Sequence, residues 1–301
     1  MKAPAQYSTT VQLLALTRFA DVGPRLFDLL MCYYASPSEL LSATPEAIRA
    51  VPGIVPGAAE KIAKAAASLE LASQYGEELL QRDIGITTRF DPDYGTLLQE
   101  LNDPPVLLYY RGAMPDPVKK SVTLMGARNP SAEGIAWSTS LARKFAEHGI
   151  QIISSLDVGA DSAAHLGSRS ANGRTFAVLE GGFDQLDAST QVPLAIDVGR
   201  NGGVISEYAP DIAIARENGR EANRLIAALG QAVVVTEIYH DSEKLWDLLE
   251  FCGQIGKLAM VTIDPVNGPL ADRESLNHAL QNGAVILQGP DQAGDIIRSL
   301  V

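Results

Sequence analysis

From about residue 83 onward, short apolar runs rich in β-branched residues alternate with amphipathic segments. This alternation constrains the fold more than any other feature of the chain. The runs at 106–110, 175–179, 232–236, 258–263 and 284–287 are apolar almost throughout, and those at 121–125, 151–155 and 203–206 have apolar, β-branched centres, as expected of strands covered on both faces. Helical periodicity fills the gaps at 135–148, 162–171, 190–198, 221–229, 243–252, 275–281 and 291–300. Strands and helices in strict alternation predict an α/β class with a mostly parallel sheet and helices on both faces. Gly149, Gly173, Gly230 and Gly283 stand where helices hand over to strands, the place for glycine just past a helix end.

The first 78 residues differ. Apolar residues recur at helical spacing from Val11 to Leu16 and from Leu26 to Met31, and Thr44-Pro45 has the form of an N-cap followed by proline. A turn at 51–57 leads into an Ala- and Glu-rich helix over 58–75. We therefore expect a small all-helical domain at 1–78, ahead of an α/β domain at 83–301.

Composition sets limits. The chain has 301 residues and a formal charge of −12. That charge argues against a protein coated in cations for nucleic acid, so any such function must rest on a local basic patch. The acidity is uneven, −3 over residues 1–120 and −9 over 121–301. Two distant cysteines, Cys32 and Cys252, give neither a disulfide framework nor a metal-type spacing. The polar stretch 1–10 is no secretory leader and no apolar run is long enough to span a membrane. A cytoplasmic location, no metal and no cofactor are expected.

In an open parallel sheet, ligands bind beyond the carboxyl ends of the strands. The loop at 125–134 holds Gly126 for a sharp turn, Arg128 as a forked cation, and the amides of a helix start that suit a phosphate. The loop at 154–165 holds Ser154, Gly159, Asp161 as a helix cap, and His165 four residues on. A Ser/Asp/His set there could suggest a hydrolase, but the nucleophile-elbow pattern is absent and a structural histidine is the expectation. Glu180-Gly181-Gly182 leaves a strand tightly enough for close ligand approach. Glu207 follows another strand. Arg224 could meet an anion or pair with an acid. Glu237, ending a later strand, fits a sugar hydroxyl.

In this order, the loops resemble those of the DprA/Smf family of DNA-processing proteins. Its Gly-Ser-Arg turn is matched by Gly126-Ala127-Arg128 with Gly134 downstream, and its Ser-Gly-Leu-Ala-x-Gly-x-Asp-x-x-Ala-His block by Ser154 to His165. Gly173, Thr175, Ala177, Val178 and Leu179 follow its next strand, and Gly182-Phe183-Asp184 its Gly-hydrophobic-Asp. Ser206-Glu207-Tyr208 is intact, and residues 222–229 follow its Arg-Asn-Arg-Ile-Ile-Ala-Gly-Leu block. The stretch 102–112 is similar to the family's entry strand, and the helical start to its SAM-like or helix-hairpin-helix domain.

The resemblance implies an extended Rossmann-like fold and a non-enzymatic protein. Such a protein would bind and protect single-stranded DNA, load a RecA-type recombinase in natural transformation, and form a homodimer. It points to Arg128 and Arg174 as phosphate contacts, supported by Gly126, Asn129, Asn223 and Arg224, with Ser154, Gly159, Asp161, Gly182 and Glu207 shaping the loops. The cations are expected on one face at the strand ends.

The chain departs from the pattern at Ser155, Gly219-Arg220, Glu221 and Ala222, around Ser242-Glu243-Lys244, at Asp264-Pro265, and at Val55 in the helical hairpin. With the sheet running to Val301, no winged-helix extension is expected. Two alternatives stay open. One is a nucleotide-binding or nucleotide-cleaving Rossmann-like protein of the phosphoribohydrolase kind, although the Pro-Gly-Gly-x-Gly-Thr signature is reduced to Gly181-Gly182. The other is an interaction protein with a degenerate site.

Overall fold

The computed structural model describes residues 2–55, 57–264, 268–269, 273–289 and 292–300. Pro265, Val301 and position 291, where the last helix is expected to begin, lie outside them. The chain divides into two compact units, one of residues 1–94 with 102–109, the other of 95–101 with 110–301.

The first unit is helical: α1 (Thr9–Ala20), α2 (Pro24–Met31), α3 (Pro37–Leu41), α4 (Pro45–Arg49), α5 (Ala58–Ala65) and α6 (Leu69–Gln81), then a short strand β1 (Gly85–Thr88). Its starts follow the capping chemistry of the sequence. Ser8, Ser36 and Thr44 each accept from an amide three residues on, and Pro24, Pro37 and Pro45 occupy first helical positions. The helix expected at 58–75 is instead two, α5 and α6, joined by a 3₁₀ turn at Ala66–Ser68.

After α7 (Thr96–Gln99) and β2 (Leu107–Gly112), the second unit alternates as expected. Its elements are β3 (Ser121–Met125), α8 (Ala132–Glu147), β4 (Gln151–Ser155), α9 (Ala160–Ser170), β5 (Thr175–Val178), α10 (Gln191–Gly199), β6 (Gly203–Ser206), α11 (Arg216–Leu229), β7 (Ala232–Val235), α12 (Glu243–Gln254), β8 (Leu258–Asp264), β9 (Gly268–Pro269), α13 (Arg273–Gln281), β10 (Val285–Leu287) and α14 (Ala293–Leu300). Within this unit the strands stand in the order β6-β5-β4-β3-β7-β8-β10. The neighbouring pairs are parallel, with β3 central between β4 and β7; β9 alone pairs antiparallel, on β8.

Alternation along β3 shows how both faces are covered. Val122 and Leu124 pack with Leu141 and Phe145 of α8 and Ala164 of α9. Ser121 and Thr123 point the other way, and each hydroxyl donates at 2.6 Å to a late carbonyl of α11, Leu229 O and Ile226 O. Lys257 adds its ammonium on Ala228 O and Gly230 O. Polar residues in a fully buried strand thus satisfy the carbonyls that a helix end leaves unpaired.

Two glycine expectations change. Asn172, with φ 53°, takes the left-handed position after α9, so Gly173 does not need it. A Cβ at Gly173 would lie 2.4 Å from Ala146 Cβ, and one at Gly230 2.5 Å from Thr123 Oγ1, so close packing demands both.

Candidate functional site

A cleft of about 560 Å³ opens at the carboxyl ends of β3, β4 and β5, with Arg128, Asp157, Glu180, Gly181, Gly182 and Lys244 in its wall. It lies where strand order and helix placement put ligand sites in such sheets.

Two crossing loops build its rim. The Gly126 amide donates to Asp161 Oδ1 at 3.0 Å, and the Ala160 amide donates to Ala127 O at 3.2 Å. Gly159 has φ 91°, and a Cβ there would stand 2.3 Å from Arg128 O. Only glycine lets the loop after β4 pass this close beneath the loop after β3. Arg128 and Asn129 are exposed. The Arg128 guanidinium makes no hydrogen bond or ion pair among the described residues, and its field falls on Asp157.

Asp161 does not line the cleft but is buried behind Ser155, which does. It is 2% exposed and also accepts from the Ser155 hydroxyl. Burial raises its pKa to about 7, against the pull of Lys244. Asp157 is likewise penalised by burial, but the charge and hydrogen bond of Lys244, with help from Arg128, hold it below the usual carboxylate range. Lys244 reaches Asp157 Oδ2 at 2.8 Å and Glu180 Oε1 at 2.5 Å. Burial works against its charge, and the surrounding carboxylates outweigh it, so its pKa stands above the ordinary lysine value. Asn223 is fully buried and fixes the backbone here, its Nδ2 donating to Lys244 O at 2.8 Å.

Several expectations need correction. The start of α8 is not a vacant anion site. Glu237, 1% exposed, accepts from the Ser131 amide at 2.9 Å and from the Tyr239 hydroxyl, while Ser131 Oγ accepts from the Gly134 amide. An internal carboxylate thus holds the place given to a phosphate, and Glu237 is engaged inside the protein rather than awaiting a sugar. Arg224 is 5% exposed and bound to both Glu207 oxygens and to Glu221. Two acids neutralise it, and it lines no part of the cleft. Arg174 precedes β5 and so sits at the opposite, amino end of the sheet. It donates to Met114 O and stacks over the Phe176 ring at 5.1 Å. The three arginines do not share one face.

The remaining loop residues hold the backbone. Ser154 Oγ donates to Leu124 O, tying β4 to β3. Gly182 lines the cleft, but its close neighbours are the carbonyls of Ala209 and Pro210. His165 is buried between Thr175 Oγ1 at Nδ1 and Ser155 O at Nε2, and burial lowers its pKa to about 4. It is a neutral structural histidine. Ser155 Oγ turns to Asp161 rather than to the imidazole, so no nucleophile–base pair forms here. No cluster of three or more potential metal ligands occurs among the described residues.

The model of the family described as DNA recombination-mediator protein A matches residues 85–299. The chain belongs to this family. Among curated relatives, Protein Smf of a Synechocystis strain is 32% identical over 228 residues, 74% of this chain and 57% of its own length. DNA processing protein DprA of Bacillus subtilis is 30% identical over 48% of this chain and 49% of its own. The aligned region thus spans about half the length of these relatives. The solved structure of DprA from Streptococcus pneumoniae superposes with a TM-score of 0.76 at 21% identity, covering 98% of this chain and 99% of that one. It shows the shared fold. DprA of Helicobacter pylori, described for its single-stranded DNA binding mode, gives 0.62 at 20% identity over 72% and 97%.

Two residues that the sequence reading names have roles it does not foresee. Lys244 stands in the first turn of α12, against the helix dipole. A lysine placed there signals acids nearby, and that signal is present in the sequence. Glu237 carries no local mark of its role, since Ser131 is 106 residues away. No helix among the described residues is long and apolar enough to cross a membrane.

Proposed function

We propose that this chain binds single-stranded DNA at the cleft over β3, β4 and β5, with Arg128 as its phosphate contact and Gly126 and Asn129 shaping the approach. The observation that carries this reading is an exposed guanidinium without a protein partner among the described residues, on the rim of that cleft, in a chain of the recombination-mediator family. A free arginine offers a phosphate a two-pronged, charge-assisted contact. The acidic remainder of the surface confines the strand to this rim. The reading extends to a non-catalytic, cytoplasmic homodimer that protects the strand and passes it to a RecA-type recombinase during DNA uptake.

Fluorescence anisotropy on oligo-dT over a range of salt tests this. Single-strand affinity falls with a slope of about −0.7 per phosphate contact. Arg128→Ala should weaken binding and flatten the slope by about that much. Absence of binding by the wild-type chain at low salt, to oligo-dT and to oligo-dA and oligo-dC alike, refutes the reading.

A second reading, a small nucleotide ligand, is favoured by the cleft's size and by Asp157, Glu180 and Asp187 in its wall. Competition by nucleoside monophosphates against the oligonucleotide, with release of free base, would distinguish it.

A further inference from the structure

Lys244 has donors to spare in a place where a phosphate is poorly served. An ammonium carries three N–H donors. Asp157 and Glu180 accept from it, and no third acceptor stands among the described residues. Each carboxylate also keeps a second oxygen that no donor reaches among the described residues. All three side chains are about a quarter exposed, at 25%, 24% and 26%, and all line the cleft. One cation between two carboxylates has a net charge of −1, with Asp161 below it, so the cluster repels a phosphate. Arg128, on the rim and unpaired among the described residues, is the better partner for one.

What the cluster offers a neutral ligand is an order of groups: acceptor, donor, acceptor. Thymine presents that same order along its pairing edge, so like would face like. Adenine and cytosine each carry an exocyclic amino donor next to a ring-nitrogen acceptor, and so fit a carboxylate beside the ammonium. A carboxylate accepting from a base amino group is a known form of direct readout.

We propose that Lys244, held between Asp157 and Glu180, reads the edge of a nucleobase and makes the chain prefer strands rich in adenine or cytosine over oligo-dT. This rests on the single-stranded DNA reading and names the specificity of that same cleft.

The test compares oligo-dA, oligo-dC and oligo-dT of equal length at one salt concentration, on the wild type, Lys244→Met and Glu180→Gln, with melting curves to check folding. We expect oligo-dA and oligo-dC to bind the wild type roughly tenfold tighter than oligo-dT, the lower range of a base-edge contact. Lys244→Met should bring the three affinities together, and Glu180→Gln should narrow the gap. Equal affinities in the wild type, or tighter binding of oligo-dT, overturn this inference while leaving DNA binding intact. A preference that survives Lys244→Met in a folded protein also overturns it. If no oligonucleotide binds at all, the DNA reading itself fails and this inference with it.

Discussion

Replacing Asp161 by asparagine should stabilise the second unit increasingly as pH rises. The side chain is buried beneath the cleft, and both its contacts survive the change. An amide oxygen accepts from the Gly126 amide as the carboxylate does, and an amide nitrogen can donate to Ser155 Oγ. The wild-type carboxyl has its pKa raised from 3.8 to about 7 by burial. Its folded form therefore holds a proton that the unfolded chain has lost throughout that interval. Stability is full below pH 3.8, falls as pH climbs through the window, and levels off above about 7. The whole interval corresponds to about 4 kcal/mol, with a slope of at most about 1.4 kcal/mol per pH unit. A neutral amide carries no such penalty. The difference in unfolding free energy, variant minus wild type, should grow from near zero close to about pH 4 towards this ceiling at about pH 8. Other titrating groups are common to both proteins and cancel. Both tryptophans, Trp137 and Trp246, lie in the second unit, so urea unfolding followed by tryptophan fluorescence reports on the right part of the chain. A difference that stays flat with pH, or that shows Asp161→Asn losing stability at high pH, refutes the argument that burial governs this carboxyl.

Two further outcomes rest on the carboxylates around the site. Gly134→Ala should lower stability by about 2 kcal/mol, since its Cβ would stand 1.8 Å from Glu237 Oε2 and push the carboxylate off the Ser131 amide. A melting temperature equal to that of the wild type would show that Glu237 can move freely. Arg224→Met should cost about 3 kcal/mol by removing the buried cation that Glu207 and Glu221 share, yet leave the salt slope for oligo-dT unchanged. A slope reduced as much as by Arg128→Ala would return Arg224 to the DNA contact set.

The sheet is legible in the sequence because parallel strands buried on both sides favour apolar, β-branched residues; β7 is wholly apolar, and β3 and β4 each keep an apolar centre although Ser121, Thr123, Gln151, Ser154 and Ser155 interrupt them. Short or polar pieces carry no such mark. Gly85–Thr88 ends in two threonines, and Gly268–Pro269 is two residues long. The first turn of α11, beginning Arg216-Glu-Asn-Gly-Arg, has no apolar face, so periodicity alone places the helix start at 221. At the site, Gly126, Arg128, Gly159 and Asp161 can be found because each comes soon after its strand. Sequence cannot tell a free arginine from a neutralised one. Arg224 and Arg128 differ by Glu207, 17 residues from the former, and Lys244 finds Asp157 across 87. Arg174 is misplaced for a simpler reason: it stands before its strand, and residues before and after a parallel strand lie at opposite ends of the sheet.

The cap on α8 also bears on how the chain folds. Beside the local Ser131 hydroxyl, it has a second acceptor, Glu237, which lies beyond β7 and 106 positions downstream, and β7 must lie against β3 for that contact to form. A fragment ending soon after α8 would therefore leave the helix unfinished at its start, the end next to Arg128. Closing a loop of that length carries an entropic cost that local contacts do not repay. The contacts between the loops after β3 and β4 can form first, but the start of α8 beside Arg128 should gain its last contact only when the returning strand docks, so a nascent chain would complete its anion-facing edge late.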